Sequence, residues 1–185
     1  DILLRPEDHS VKLAKAGMSI DLGGIAKGYA VDEVRAIFAK HHIENGLINL
    51  GASSMYALGS NAKGGPWRIG IKHPRNDDKD TYLGIVAVSN ENISTSGDYE
   101  RFFEENGVRY HHIFDPKTGR PARSGVMSDS VLVDSSIEHG GMLGDMLTTI
   151  LFVLGPERGM AFAHSVNGVE AMITTTDGKI YMTDG

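Results

Sequence analysis

Asp145 and Thr149 stand four residues apart in "GDMLTTILFVLG", a run apolar enough to be a buried helix. At that spacing both side chains leave one helix face a turn apart, so their oxygens reach a common point. A buried carboxylate needs a partner, and this helix offers no Lys or Arg. A hard cation such as Mg2+ would satisfy both groups, because such ions take carboxylate, hydroxyl and carbonyl oxygens and bridge to phosphates. An aspartate capping a loop or facing solvent, beside a threonine bonded to its own helix, is the simpler account of the spacing taken alone.

A second stretch with chemical potential is "DLGGIAKGYAVD", residues 21 to 32, where Gly23, Gly24 and Gly28 surround a helix start and Lys27 falls in its first turn. Unpaired N–H groups at a helix N-terminus with a lysine make an anion site, and glycines let a ligand approach the backbone. The pattern is neither a P-loop nor the dinucleotide fingerprint. A plain strand-to-helix turn with Lys27 in water accounts for it equally.

The third is "HHIFDPKTG", residues 111 to 119. Strand alternation sends His111 and His112 to opposite faces, so one ring at most serves a given site. Asp115, Pro116, Thr118 and Gly119 are turn chemistry, and a histidine held at such a corner could act as a general base near neutral pH. "INLGASS" and "STSGDYERFF" each end a strand in small residues, which suits close approach of a ligand to the backbone but also simple loop closure. Trp67, the Phe102-Phe103 pair and the methionines read as core.

The elements that must position these residues follow from periodicity. Ala30, Val34, Ile37, Phe38 and His41 recur at helical spacing and predict an amphipathic helix over about 25 to 42. Strands are expected at 47–50, 67–72 and 82–89, separated by the polar loops "GASS", "NAKGGP" and "HPRNDDKD". "SGDYERFFEENG" reads as a loop into a short helical turn, "VRYHHIF" as a strand, and "DPKTGRPARSG" as a long turn into the strand "SDSVLVD". A buried helix over about 142 to 154 ends at Gly155-Pro156, and "VEAMITT", "TDGK", "IYMT" form a hairpin. These add up to one α/β (α+β) domain over 1–185, with a mixed, largely antiparallel sheet and packed helices.

The 185 residues are 41% apolar, enough for one core. A formal charge of -6 argues against nucleic acid and anionic membrane as partners. No cysteine is present, which removes disulfides, thiolate catalysis and cysteine zinc sites. No apolar run reaches membrane-spanning length, and the sequence shows no basic-then-apolar stretch at its start, so any targeting segment is expected to have been removed or to lie outside it.

Taken in order, "DLGGIAKGYAVD", "INLGASS", "STSGDYERFF", "YHHIFDPKTGRPA" and "GDMLTTILFVLG" resemble the ApbE family of FAD:protein FMN transferases over nearly the whole chain. The resemblance implies a T-fold-related architecture and Mg2+-dependent transfer of FMN from FAD to a threonine hydroxyl of an acceptor protein, with release of AMP. The acceptor it implies is a respiratory or redox flavoprotein subunit. Hydrolysis of FAD to FMN and AMP, or FAD binding without catalysis, are the alternatives. By the same resemblance the metal falls to the Ala26 carbonyl, Asp145 and Thr149. His112 becomes the base, and Asp21, Gly24, Lys27, Asn49, Gly51, Ser96, Gly97, His112, Asp115 and Thr118 line the FAD site. The family's usual Ala-Asp-Ala reads Gly144-Asp145-Met146 here. An N-terminal segment that adds flavin-ring contacts is expected to be missing, and the setting is expected to be extracytoplasmic, periplasmic or cell-surface, with a lipid anchor on that segment.

Overall fold

The computed structural model describes residues 1–75 and 81–184, so part of the loop expected over 73–80 lies outside the described residues. Strands β1 (Ile2–Arg5) and β2 (Ser10–Leu13) pair as a hairpin before the Gly-rich stretch. Helix α1 (Ala26–Lys40) follows, then β3 (Gly46–Leu50) and β4 (Ser54–Leu58), joined by a tight turn. Next come the hairpin of β5 (Trp67–Lys72) and β6 (Tyr82–Val88), and then β7 (Glu91–Gly97).

Two smaller hairpins come next. β8 (Phe102–Glu105) pairs with β9 (Val108–His111), and β10 (Phe114–Asp115) with β11 (Arg120–Pro121). The long strand β12 (Val126–Asp134) leads into helix α2 (Gly140–Leu154) and helix α3 (Pro156–His164). β13 (Val169–Thr175) and β14 (Ile180–Met182) complete the described chain.

Six strands form the central sheet in the order β14-β13-β12-β7-β4-β3, and every neighbouring pair is antiparallel. The expected mixed, largely antiparallel α/β architecture is what the chain adopts. The alternation of each strand divides its side chains between two faces. On one face Val131, Val133 and Ile173 pack with Leu147, Leu151 and Phe152 of α2 and with Met160 and Ala163 of α3. Nearby, Ile48 and Tyr56 pack against Val31 of α1. On the other face Met55, Ala57 and Ile93 meet Ile69, Ile71 and Val88 of the β5–β6 hairpin. Helices therefore cover one side of the sheet and a hairpin covers the other.

α2 lies unusually close to β7. A Cβ on Gly140 would fall 2.6 Å from Asn92 Nδ2, and one on Gly144 would fall 2.9 Å from Ser94 Oγ. One turn further on, Thr148 Oγ1 accepts a hydrogen bond of 2.9 Å from Ser96 Oγ. The row of small residues at 140, 144 and 148 thus rests on the row 92, 94 and 96 of the strand.

Several expectations need correction. Residues 102–105 form strand β8 rather than a helical turn, because their backbone pairs with β9 in the register Phe102 to His111. Phe102 and Phe103 are not core: Phe103 is 61% exposed and stacks on Tyr110, while Phe102 lies under the Arg109 guanidinium. Met146 and Met182 are also exposed, whereas Met55, Met127 and Met160 are buried and Trp67 packs partly buried, donating from Nε1 to Leu58 O.

The inward face of α1 is partly the expected one: Val34 and Phe38 pack inward with Val31, while Gly28 lies against α2 and Ile37 is 53% exposed. Pro156 ends α2 but opens α3, since its fixed φ suits the first helical position. The strand expected over "VRYHHIF" is broken after His111, and the turn after it contains the β10–β11 pair.

Candidate functional site

The site forms where α1 begins against the middle of α2. α1 has no side-chain cap from its own N-cap residue Ile25. Its first turn is instead served by Asp145, whose Oδ2 accepts the Gly28 N–H at 2.7 Å. Ser54, at the start of β4, donates its hydroxyl to Asp145 Oδ1. The aspartate is 6% exposed, so it is a buried carboxylate held by one amide and one hydroxyl. Among the described residues no cation pairs with it. Of the two accounts open from spacing, the capping one is therefore partly right, although the helix that Asp145 caps is α1.

The glycines divide by role. Gly24 brings the turn before α1 beside Thr149, since a Cβ there would lie 3.6 Å from Thr149 Oγ1. Gly28 serves packing rather than a ligand. It is buried, and a Cβ on it would meet Gly141 O at 2.0 Å, so the two helix backbones touch there. Asp21 closes its own turn by accepting the Gly23 N–H at 2.6 Å. Ala26 and Lys27 are exposed on the first turn of α1.

Asp145, Thr149 and the Gly-rich turn that leads to Ala26 are thus brought together. Their donors are a carboxylate, a hydroxyl and backbone oxygen, a set suited to a hard cation. Among the described residues no three His, Cys, Asp or Glu side chains gather as a metal cluster.

Asn49, Gly51, Ser96 and Gly97 sit at the same end of the sheet. Asn49 Oδ1 accepts the Ala52 N–H at 2.8 Å and braces a turn in which Gly51 and Ala52 both have positive φ. Ser96 is tied through Thr148 to α2, and Thr148 Oγ1 in turn donates to Asp145 O at 2.9 Å. Gly97 has no room for a side chain, because a Cβ would lie 2.3 Å from the Tyr99 ring. Burial first, and then Glu100, Asp129 and Asp98, push the Tyr99 phenol up to about 12, so it stays protonated at neutral pH.

Four site residues were not singled out by sequence reasoning. All four, Ser54, Asp98, Asp32 and Asp129, lie inside quoted stretches, but only their surroundings in the fold reveal them. Asp98 is gripped by both guanidinium nitrogens of Arg75, at 2.7 and 2.6 Å, and by Arg109 at 3.5 Å. A cleft of about 150 Å3 beside it is lined by Lys72, His73, Arg75, Tyr99, Phe102 and Arg109, giving this end of the sheet a basic wall. Asp32 caps α2, and Asp129 is wholly buried on β12 across from Ser96. No local pattern marks either one.

His112, Asp115 and Thr118 form a separate group on the β9–β11 segment. Asp115 Oδ1 accepts the Lys117 N–H at 2.8 Å, its carbonyl accepts from Thr118 and Gly119, and Gly119 takes φ 64. The expected turn chemistry is present. His112 is exposed, with Nδ1 3.3 Å from Arg101 O. His111 points inward and is 6% exposed. Among the described residues no hydrogen bond joins His112, Asp115 or Thr118 to Asp145 or Thr149.

Comparison with known proteins places these groups in context. The ApbE family model matches residues 1–173. The chain is 38% identical over 185 residues to a protein of Treponema pallidum (strain Nichols) named FAD:protein FMN transferase, covering 96% of this chain and 49% of that one. A protein of the same name from Klebsiella pneumoniae (strain 342) is 36% identical over 183 residues, covering 99% and 54%. The chain spans about half the length of the curated relatives it matches. Among solved structures, the ApbE protein of Thermotoga maritima superposes with a TM-score of 0.85 at 35% identity, covering 99% of this chain and 57% of that one. The flavin transferase ApbE from Vibrio cholerae does so at 0.81 and 35%, covering 99% and 56%.

Proposed function

Since the chain belongs to the ApbE family, we propose that it takes part in transferring FMN from FAD to a threonine hydroxyl of an acceptor protein, with release of AMP. The observation that carries this reading is the meeting of Asp145, Thr149 and the Gly-rich turn before α1, an all-oxygen corner beside a helix N-terminus. The names of the relatives, flavin transferase and FAD:protein FMN transferase, supply the substrate class.

In this reading the first turn of α1 and Lys27 bind the pyrophosphate, as helix N-termini bind anions generally. Asp145, Thr149 and the Ala26 carbonyl would hold Mg2+, which when bound offsets the negative charge that grows as the pyrophosphate divides. Asp21 and Gly24 in the turn before α1, and Asn49, Gly51, Ser96 and Gly97 at the end of the sheet, line the FAD site, with Asp115 and Thr118 contributing from the β10–β11 hairpin. His112 accepts the proton of the acceptor hydroxyl. The hydroxyl oxygen bonds to the FMN phosphorus, the P–O bond to AMP breaks, and AMP departs with the electron pair.

A second reading is favoured by one observation. His112 is exposed, so water reaches the ring, and water in place of the hydroxyl gives FMN and AMP by hydrolysis. Incubation with FAD and Mg2+, with and without a threonine-bearing acceptor, followed by mass spectrometry separates the two. Flavin on the acceptor, lost with EDTA, supports transfer. AMP without attachment supports hydrolysis, and absence of both products overturns the reading for this chain.

A further inference from the structure

His111 is the inward-facing neighbour of the proposed base, and its environment fixes its chemistry. The Ile113 N–H donates to Nδ1 at 3.3 Å, while Nε2 lies 3.0 Å from Ala122 O. A carbonyl only accepts, so Nε2 must carry the hydrogen and Nδ1 must be bare. The ring is therefore held as one neutral tautomer, with both nitrogens used. Its edge packs on Phe152 of α2, with centroids 5.2 Å apart at 69°.

These bonds close a frame. The Ala122 N–H also donates to Ile113 O at 2.9 Å, so His111, Ile113 and Ala122 bracket the base of the β10–β11 hairpin. Within the bracket lie Asp115 and Thr118, and next to it His112. Among the described residues this frame, anchored through Phe152, Ile113 and Ala122 in the main core, is where the His112 segment meets the helix that carries Asp145.

We propose that His111 is a positioning residue, whose doubly bonded ring fixes the strand end and hairpin that carry His112, Asp115 and Thr118. The consequence for function rests on the flavin-transfer reading. The consequence for structure does not. Protonation at Nδ1 would set a donor against the Ile113 donor and open the frame. Burial, the dominant influence, lowers the ring's pKa. The Ala122 carbonyl and Asp98 oppose that effect, while Arg123 and His112 add to it. The face of α2 that meets the ring presents Phe152, which does not titrate.

The test begins with ring nitrogen NMR of the protein, where the Nε2–H tautomer is expected and an Nδ1–H tautomer would overturn the proposal. Amide exchange at Ile113 and Ala122, corrected for intrinsic rates, is then compared at about pH 8, where the ring is neutral, in wild type, His111→Gln and His111→Leu. His111→Gln, which keeps an amide donor for Ala122 O, should retain most of the wild-type protection, whereas His111→Leu should lose about tenfold or more. Protection in the leucine variant equal to wild type would overturn the frame, and if that variant does not fold the tautomer decides alone. In the activity arm, release of AMP from FAD should slow about tenfold or more in His111→Leu and about threefold or less in His111→Gln. A leucine variant with wild-type rate would overturn the positioning role. An inactive wild type with the expected tautomer and exchange would uphold the frame and sink the flavin-transfer reading instead.

Discussion

Asp32 and Asp145 cap each other's helices. Asp32, on α1, accepts the N–H groups of Gly141 and Met142 at the start of α2, both at 2.9 Å. Asp145, on α2, accepts the Gly28 N–H at the start of α1. Neither helix has a side-chain cap from its own N-cap residue, so each relies on the other for its N-terminal donors. Asp32→Ala should lower stability by about 1–2 kcal/mol, the scale of a lost cap, and the melting temperature by about 2–8 °C. Thermal denaturation followed by circular dichroism measures it, and an unchanged melt would refute the pairing.

Gly28→Ala should cost about 3 kcal/mol or more, or prevent folding, because a Cβ there lies 2.0 Å from the Gly141 carbonyl oxygen. Gly84→Ala is the control, since a Cβ on that strand residue meets nothing within 4 Å. Urea midpoints of the two variants should separate widely.

Asp129 is 1% exposed, and among the described residues neither of its oxygens has a hydrogen-bond partner. Burial raises its pKa well above the usual carboxylate range, opposed only by the nearby Ser96 backbone. The folded state thus holds a proton that the unfolded state releases once pH exceeds its ordinary carboxylate value. This group's contribution to stability is present at low pH and falls as pH rises towards the folded pKa. Asp129→Asn should therefore stabilise the protein at pH 7, by about 1 kcal/mol or more, with the gain shrinking towards pH 4. Denaturant titrations at the two pH values decide it; a loss of stability at pH 7 would show that the carboxylate is charged and paired.

His112→Ala tests the proposed base. Its ring is exposed and its loss leaves the core intact, so the fold and FAD affinity should persist. The rate of FMN transfer should fall by a factor of about 10² to 10⁴. Unaltered transfer would remove His112 from the chemistry.

Asp145→Asn keeps the shape of the side chain and removes its charge. Transfer should lose its dependence on Mg2+ together with most of its rate, while Asp32→Ala, with Asp145 intact, should keep the metal requirement. The measurement is AMP release against Mg2+ concentration in both variants. An asparagine variant with the wild-type Mg2+ profile would exclude Asp145 from the cation site.

The parts of this architecture legible in the sequence are those with local causes. The Gly155-Pro156 stop, the Asp115 to Gly119 turn and the apolar run of α2 each depend on residues adjacent in the chain. The same locality explains the errors. "ERFFEEN" has helix-forming residues, and only pairing with β9 makes it a strand. Val34 and Phe38 of α1 pack inward as their spacing predicts, but the contact of Gly28 with α2 depends on its having no side chain, which a hydrophobic pattern cannot register. The spacing of Asp145 and Thr149 marks them as a pair on one helix face, with a cap as the simpler account. Ser54, Asp32 and Asp98 carry no such mark, because their partners stand 91, 109 and 110 residues and 23 residues away along the chain.

The seating of α2 on β7 bears on transplanting this site to another protein. A designer who moved α2 with its Asp145 and Thr149 onto a sheet carrying ordinary Val or Ile at the places of Asn92, Ser94 and Ser96 would lift the helix off its bed. Asp145 would then fall short of both Ser54 and the start of α1. The smallest portable unit is the helix and the strand of small polar residues beneath it, together with Ser54 of β4 and the Gly-rich start of α1.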